Sequence, residues 1–150
     1  MKNSAGLVMY KRNPLRVFLI HPGGPFWKGK DKNAWSIPKG EVEENEDQLS
    51  AAKREFREET GIRIKQGTNF LPLGTIRQNS RKFVTAWAFE GDWNGFLMKQ
   101  SMIEIEFPYK SGKKIRVPEV DKAGFFTIEK AKQMIVPGQF GLIEKLAQLV

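Results

Sequence analysis

From about Glu46 to Thr60 the chain contains neither proline nor glycine and is dominated by Glu, Ala, Lys and Arg, with Gly61 directly behind. Such residues lose little freedom in a helix, and glycine readily takes the left-handed cap, so the stretch predicts a helix that stops at Gly61. Within it Glu55, Glu58 and Glu59 are spaced i, i+3, i+4. At about 100° per residue, Glu58 falls about 60° to one side of Glu55 and Glu59 about 40° to the other, so all three carboxylates leave from one face. Leu49, Ala52 and Phe56 occupy a neighbouring arc, which lets the helix bury one side and present the acids at its edge. Like charges this close destabilise a helix unless a cation neutralises them. An all-oxygen donor set without His or Cys nearby suits Mg²⁺ or Mn²⁺ better than zinc. Arg54 reaches Glu58 by i, i+4 spacing and can orient a carboxylate while limiting the repulsion. Spacing alone favours a solvent-facing helix whose glutamates pair with Lys and Arg.

Composition bounds the rest. Of 150 residues 40% are hydrophobic, including 11 Phe and 4 Trp. That is enough for one domain, 1–150, burying roughly 70% of its unfolded surface, and it excludes a disordered tail. The cysteine count is zero, which removes disulfide frameworks, thiolate metal sites and cysteine nucleophiles. His21 is the only histidine, and without a G-x-S-x-G serine a hydrolase triad is not expected; a structural or substrate-edge role is. The longest apolar run, Leu15 to Ile20 broken by Arg16, is far short of the ~20 residues that cross a bilayer. No signal-peptide pattern is visible at the N-terminus, so the expectation is a soluble, cytoplasmic protein with no membrane partner. Net charge is +8 overall, yet eight acids face three bases between Glu41 and Glu59, leaving +13 on the remainder. An acidic patch in a basic molecule suits a divalent cation beside a polyanionic substrate.

Ala5 to Tyr10 and Leu15 to Ile20 predict two strands joined at Asn13-Pro14, and His21 to Asn33 has loop composition. Phe70 to Arg77 and Lys82 to Glu90 predict strands around Asn79-Ser80. Ser101 to Phe107 alternates, with Ile103, Ile105 and Phe107 on one face, and predicts a half-buried strand. Lys113 to Val117 and Gly124 to Phe126 are short strand candidates. Thr127 is placed to cap a helix to about Ile135, ended by Pro137-Gly138, and Phe140, Ile143, Ala147 and Val150 mark the expected buried side of a last helix. Strands mixed with three helices predict an α/β or α+β domain with helices packed over a central sheet.

Read with its flanks, the helix gives Gly40-x5-Glu46-x7-Arg54-Glu55-Phe56-x-Glu58-Glu59-x-Gly61-Ile62. This resembles the Nudix box, G-x5-E-x7-R-E-U-x-E-E-x-G-U with U apolar, at every fixed position, and Phe56 stands where an aliphatic residue is common. The box covers about a sixth of the chain. The resemblance implies an α/β/α sandwich with a central mixed sheet and hydrolysis of a phosphoanhydride in a nucleoside diphosphate derivative with Mg²⁺ or Mn²⁺. It further implies Glu55, Glu58 and Glu59 as metal ligands, an Arg54–Glu46 ion pair in support, and the Lys39 carbonyl in the metal shell. A further acid outside the box is implied as well. Glu119, six residues before Phe125, is the choice, with Glu104, Glu106 and Glu90 competing on strand positions.

Gly24 to Asp31 begins like a P-loop, but Asp31 stands where a Ser or Thr is required and no helix can follow. A basic aromatic substrate loop is the better reading, with Lys28, Lys30 or Lys32 for phosphates and Phe26 or Trp27 for stacking or simply for anchoring the loop. Trp35 and Trp87 could line a base pocket or belong to the core. Lys30, Lys39 and Trp35 are therefore the expected substrate contacts. The lead-in Trp35-Ser36-Ile37-Pro38-Lys39-Gly40 resembles Nudix nucleoside triphosphate pyrophosphohydrolases and diadenosine tetraphosphate hydrolases. The expected substrate is thus a small nucleotide, either a nucleoside triphosphate or a dinucleoside polyphosphate. An RNA 5′-end pyrophosphohydrolase or a non-catalytic nucleotide-binding or RNA-binding module are the alternatives.

Overall fold

The first strand is buried on both faces, which marks it as the centre of a sheet. Ala5, Leu7 and Met9 point to one side and Val8 and Tyr10 to the other, and all five are buried. The structure, a computed structural model, describes residues 2–97 and 101–150. Its strands are β1 (Lys2–Lys11), β2 (Arg16–Pro22), β3 (Lys39–Glu41), β4 (Leu71–Asn79), β5 (Lys82–Glu90), β6 (Met102–Glu106), β7 (Lys114–Pro118) and β8 (Val120–Thr127). Three α-helices accompany them, α1 (Gln48–Thr60), α2 (Ile128–Met134) and α3 (Phe140–Leu149). The main sheet runs β4-β5-β1-β2-β8, with β3 added to β1. β1 and β5 are parallel and the other pairs antiparallel, so the sheet is mixed.

Each face of the sheet is covered. Ala51, Ala52 and Phe56 of α1 pack with Ala5, Leu7, Met9, Phe18 and Phe89. On the other face Ala131, Met134, Leu142, Ile143 and Leu146 of α2 and α3 pack with Val8, Val17, Leu19, Val84 and Ala86. The strand period of two thus divides the chain into an α/β/α sandwich. Among the described residues no helix is long and apolar enough to cross a membrane.

One irregularity positions everything that follows. β1 and β2 pair only at the hairpin end, Tyr10 with Val17 and Lys11 with Arg16, and then diverge. Ser36–Glu41 enters the gap. Ser36 exchanges both backbone bonds with Ile20 of β2 at 2.8 and 2.9 Å, the Leu7 amide donates to the Pro38 carbonyl at 3.2 Å, and Lys39–Glu41 pairs with Gly6–Ser4 of β1. Backbone groups bared by the divergence are in this way satisfied.

Helix α1 begins at the Asp47 cap, whose carboxylate accepts from the Ser50 amide at 3.0 Å, and ends at Gly61, with φ 71°. Thr127 caps α2 by accepting from the Lys130 amide. Two expectations are corrected. β6 is not half-buried, because it pairs only with β7 in a separate two-stranded sheet, leaving Ile103 38% and Phe107 37% exposed. Its alternation describes a face that the main sheet never covers. The buried stripe of α3 is Leu142, Ile143 and Leu146, while Ala147 and Val150 are exposed and Phe140 is half-buried. Two overlapping apolar stripes exist in that sequence, and packing against β4 and α2 selects one.

Phe56 is fully buried and its ring meets Phe18 and Phe89 at centroid distances of 6.2 and 5.4 Å. Phe56→Ala should therefore lower the unfolding free energy by ~3–5 kcal/mol. A urea titration checks this, and a loss below ~1 kcal/mol would mean that α1 is anchored elsewhere.

Candidate active site

The carboxylates of α1 meet the inserted segment at Gly40. A Cβ on Gly40 would lie 2.0 Å from the Glu55 carboxyl carbon, so any larger residue there would displace the Glu55 carboxylate from its seat against the strand. One residue earlier the Lys39 amide donates to Glu59 Oε2 at 3.0 Å. A third acid arrives from the junction of β7 and β8. The Glu119 amide donates to the Ser101 carbonyl at 2.8 Å and its carbonyl accepts from the Gly23 amide at 3.1 Å, which holds the junction against the β2 end. Glu55, Glu59 and Glu119 each bring a carboxylate oxygen within 4.8 Å of the others.

Arg54 organises the exposed side of this cluster. Its Nε and Nη2 donate to the two oxygens of Glu46 at 2.8 and 3.0 Å, a bidentate pair. Its Nη1 donates to Glu55 at 2.8 Å and to Glu58 at 3.3 Å, and Nη2 also reaches the Glu41 carbonyl at 3.1 Å. The i, i+4 reach and the Glu46 pair are both present. Glu58 is the outlier among the helix acids. Its side chain is 45% exposed and it stands outside the close group of three.

Burial and like charge act on the group together. Burial pushes the Glu59 carboxyl well above the ordinary range, and the neighbouring Glu119 and Glu55 push it the same way. Burial also raises Glu55, although Arg54 opposes this. The donor set is all carboxylate oxygen, and its charges repel one another without a cation, so the residues fit a hard divalent ion such as Mg²⁺ or Mn²⁺. Lys39 sits beside them, its ammonium lowered to about 8 by burial first and by Lys82 next, while Glu59 pulls the other way.

A cavity of about 230 Å³ opens next to Glu59 and Glu119, and Lys39, Trp27, Gln78 and Gln139 line it. Of the expected substrate contacts, Lys39 is there and the other two are not. Trp35 is a core residue, 5% exposed, stacked edge-on against His21 and Phe126, with its indole N–H given to Asp31 at 3.1 Å. Its size and apolarity match a base platform and a core residue equally, and only packing distinguishes them. Lys30 lies on an exposed turn and contributes its carbonyl, which meets His21 Nε2 at 2.6 Å. His21 itself is fully buried, with Nδ1 2.8 Å from Asp121, so it ties β2 to β8 and to the loop. Trp87 packs against the α1-side core. Phe26 meets Phe107 at 5.4 Å, which leaves Trp27 at the cavity. The competing acids are occupied elsewhere: Glu104 with Lys114, Glu106 with the Lys110 and Gly112 amides, Glu90 with Arg12. Gln78 and Gln139 had no signal in the sequence, being 61 positions apart with no periodic relation.

The raised Glu59 carboxyl has a thermodynamic consequence. A folded-state value above the ordinary 4.5 means that ionisation costs stability, increasingly as pH rises above 4.5, and that the cost disappears below it. In chelator-treated protein, Glu59→Gln should thus melt higher than wild type at pH 8 and lose that advantage as pH falls toward 4.5. Thermal melts across pH test this, and a variant less stable at pH 8 would refute it.

Residues 2–146 match the family model of the NUDIX domain. Over 58 residues, 39% of this chain and 20% of the relative, the sequence is 38% identical to Nudix hydrolase 7 of Arabidopsis thaliana. Over 51 residues it is 43% identical to an RNA pyrophosphohydrolase of Caulobacter vibrioides, 31% of this chain and 30% of that protein. These matches span less than a third of either relative. A crystal structure of a C. elegans Ap4A hydrolase superposes with TM-score 0.68 over 99% of this chain and 97% of that one at 20% identity, which is likeness of fold. The match of a single family model across nearly all of the described sandwich shows that this chain belongs to the NUDIX domain family.

Proposed function

We infer that this chain is a metal-dependent pyrophosphohydrolase acting on a nucleoside triphosphate or dinucleoside polyphosphate. The observation that carries the reading is the convergence of Glu55, Glu59 and Glu119, the last two lining a cavity together with Lys39. In this reading Glu55, Glu59 and Glu119 hold the cation, with the Lys39 carbonyl beside them and Glu58 available from the solvent side. A bound Mg²⁺ or Mn²⁺ supplies Lewis acidity toward the phosphate oxygens and the attacking water. Lys39 offers its ammonium to the phosphate chain, and a cluster carboxylate accepts the proton of the water. Arg54 is a positioning residue, since its bonds to Glu46 and Glu55 hold the Glu55 carboxylate in place.

Glu55→Gln and Glu59→Gln should each lower turnover of nucleoside triphosphates by at least ~100-fold, and Glu119→Gln should fall further than Glu104→Gln. EDTA should abolish activity and Mg²⁺ or Mn²⁺ restore it. Turnover that survives chelation, or near-normal rates in both helix variants, would overturn the reading.

A second reading, cleavage at an RNA 5′ end, has its own observation. On the face of α1 turned about 160–200° from Glu55, Lys53 and Arg57, together with Arg63 and Lys65 of the segment that follows the helix, line an open groove of about 470 Å³, with Lys53 4.6 Å above the Phe70 ring. Such a groove can follow a phosphate backbone. If RNA lies there, Arg57→Ala with Arg63→Ala slows cleavage of triphosphorylated RNA and reduces its salt dependence while nucleoside triphosphate turnover is kept. Unchanged RNA cleavage would exclude that path.

A further inference from the structure

The cavity beside the carboxylates contains a polar wall whose direction is set by a single buried amide. Gln139 is fully buried. The Ile37 backbone N–H can only donate, so the Gln139 atom facing it at 3.0 Å is the carbonyl oxygen. That orientation leaves the Gln139 nitrogen to donate, and it does so twice, to Ser36 Oγ at 3.0 Å and to Gln78 Oε1 at 3.0 Å. Ser36 cannot reverse the order, because its own hydroxyl proton goes to the Ile37 carbonyl at 2.7 Å. Both hydrogens of the Gln139 amide are spent, and the Gln78 oxygen is thereby engaged as an acceptor, which leaves the Gln78 nitrogen to donate elsewhere.

The backbone holds this relay tightly. A Cβ on Gly138 would lie 2.0 Å from the Gln78 carbonyl oxygen, so the turn Pro137–Gln139 rests directly on β4. The Gln78 side chain lines the cavity, and its Nε2 has no protein partner among the described residues. What Gln78 offers a ligand is therefore the two N–H donors of its amide, its own oxygen being taken by Gln139. Beside it are apolar walls from Ile20, Ile37, Val120 and Val136, and Trp27, 41% exposed, stands at the rim. At about 230 Å³ the cavity is smaller than the roughly 300–1,000 Å³ of whole-ligand pockets. It suits one planar group, with the charged remainder of the ligand outside toward Glu59 and Glu119.

We propose that this cavity is a nucleobase subsite in which Gln78, oriented by Gln139, selects a base edge carrying adjacent acceptors, so that guanine is preferred to adenine. Guanine presents O6 and N7, both acceptors, whereas adenine replaces O6 by an amino donor that would face the Gln78 donors. Trp27 supplies a stacking surface that does not distinguish bases. The proposal rests on the nucleoside polyphosphate reading for its location and adds to it the identity of the base.

The test compares kcat/KM for GTP, ITP and ATP with Mg²⁺ in wild type, Gln78→Ala and Gln78→Glu. GTP should exceed ATP by ~10-fold or more, and ITP, which keeps O6 and N7, should follow GTP. Gln78→Ala should bring the GTP to ATP ratio to within ~3-fold of unity. Gln78→Glu, which places an acceptor at the wall, should move it toward ATP. Hydrolysis with ATP equal to or better than GTP, ITP behaving as ATP, or a ratio indifferent to Gln78 would overturn the subsite and leave the hydrolase reading standing. If none of the three is hydrolysed, the nucleoside triphosphate reading fails and the dinucleoside polyphosphate one is left. The subsite is then judged by quenching of tryptophan fluorescence with GMP and AMP, where equal affinities overturn it.

Discussion

The divergence of β1 from β2 is the constraint on which the site depends. A sheet cannot open without baring backbone donors and acceptors, and here Ser36–Glu41 satisfies them from both sides. Because that segment is locked into the sheet, the Lys39 amide and the bare face of Gly40 are presented to α1 at one depth and one angle. The Glu59 bond and the close seat of Glu55 against Gly40 follow from it. The apolar side of α1, centred on Phe56, fixes the other half of the contact.

Holding carboxylates together costs stability, and the structure offsets the cost unevenly. Arg54 neutralises the solvent side through Glu46, Glu55 and Glu58. The inner side, where Glu59 is 7% exposed and faces Glu119, receives one backbone N–H and, among the described residues, no side-chain cation of comparable closeness. Charge is left in excess just where the cavity opens, which is the arrangement expected of a site that an ion completes.

The cavity wall shows the same economy in uncharged form. Ile37 belongs to the inserted segment, so the strand divergence that places Lys39 also supplies the N–H that orients Gln139 and, through it, Gln78. The carboxylate end and the amide end of the cavity are thus joined by three consecutive residues, Ile37, Pro38 and Lys39.

Much of this molecule was legible along the chain. Helix α1, its stop at Gly61, the cap at Thr127, the paired strands around Asn79 and the Arg54–Glu58 contact all follow from spacings of a few residues, where backbone geometry alone decides which groups meet, whereas the Arg54–Glu46 pair was legible only through the resemblance of the motif. Those determinants are local and survive reading one residue at a time. The gathering of Glu119 with Glu55 and Glu59, the burial of Trp35 and exposure of β6, the stripe chosen by α3 and the Gln78–Gln139 relay were decided only by tertiary structure. Each depends on which apolar face finds a partner and which backbone groups a diverging sheet leaves unpaired, and neither is a property of any short stretch of sequence.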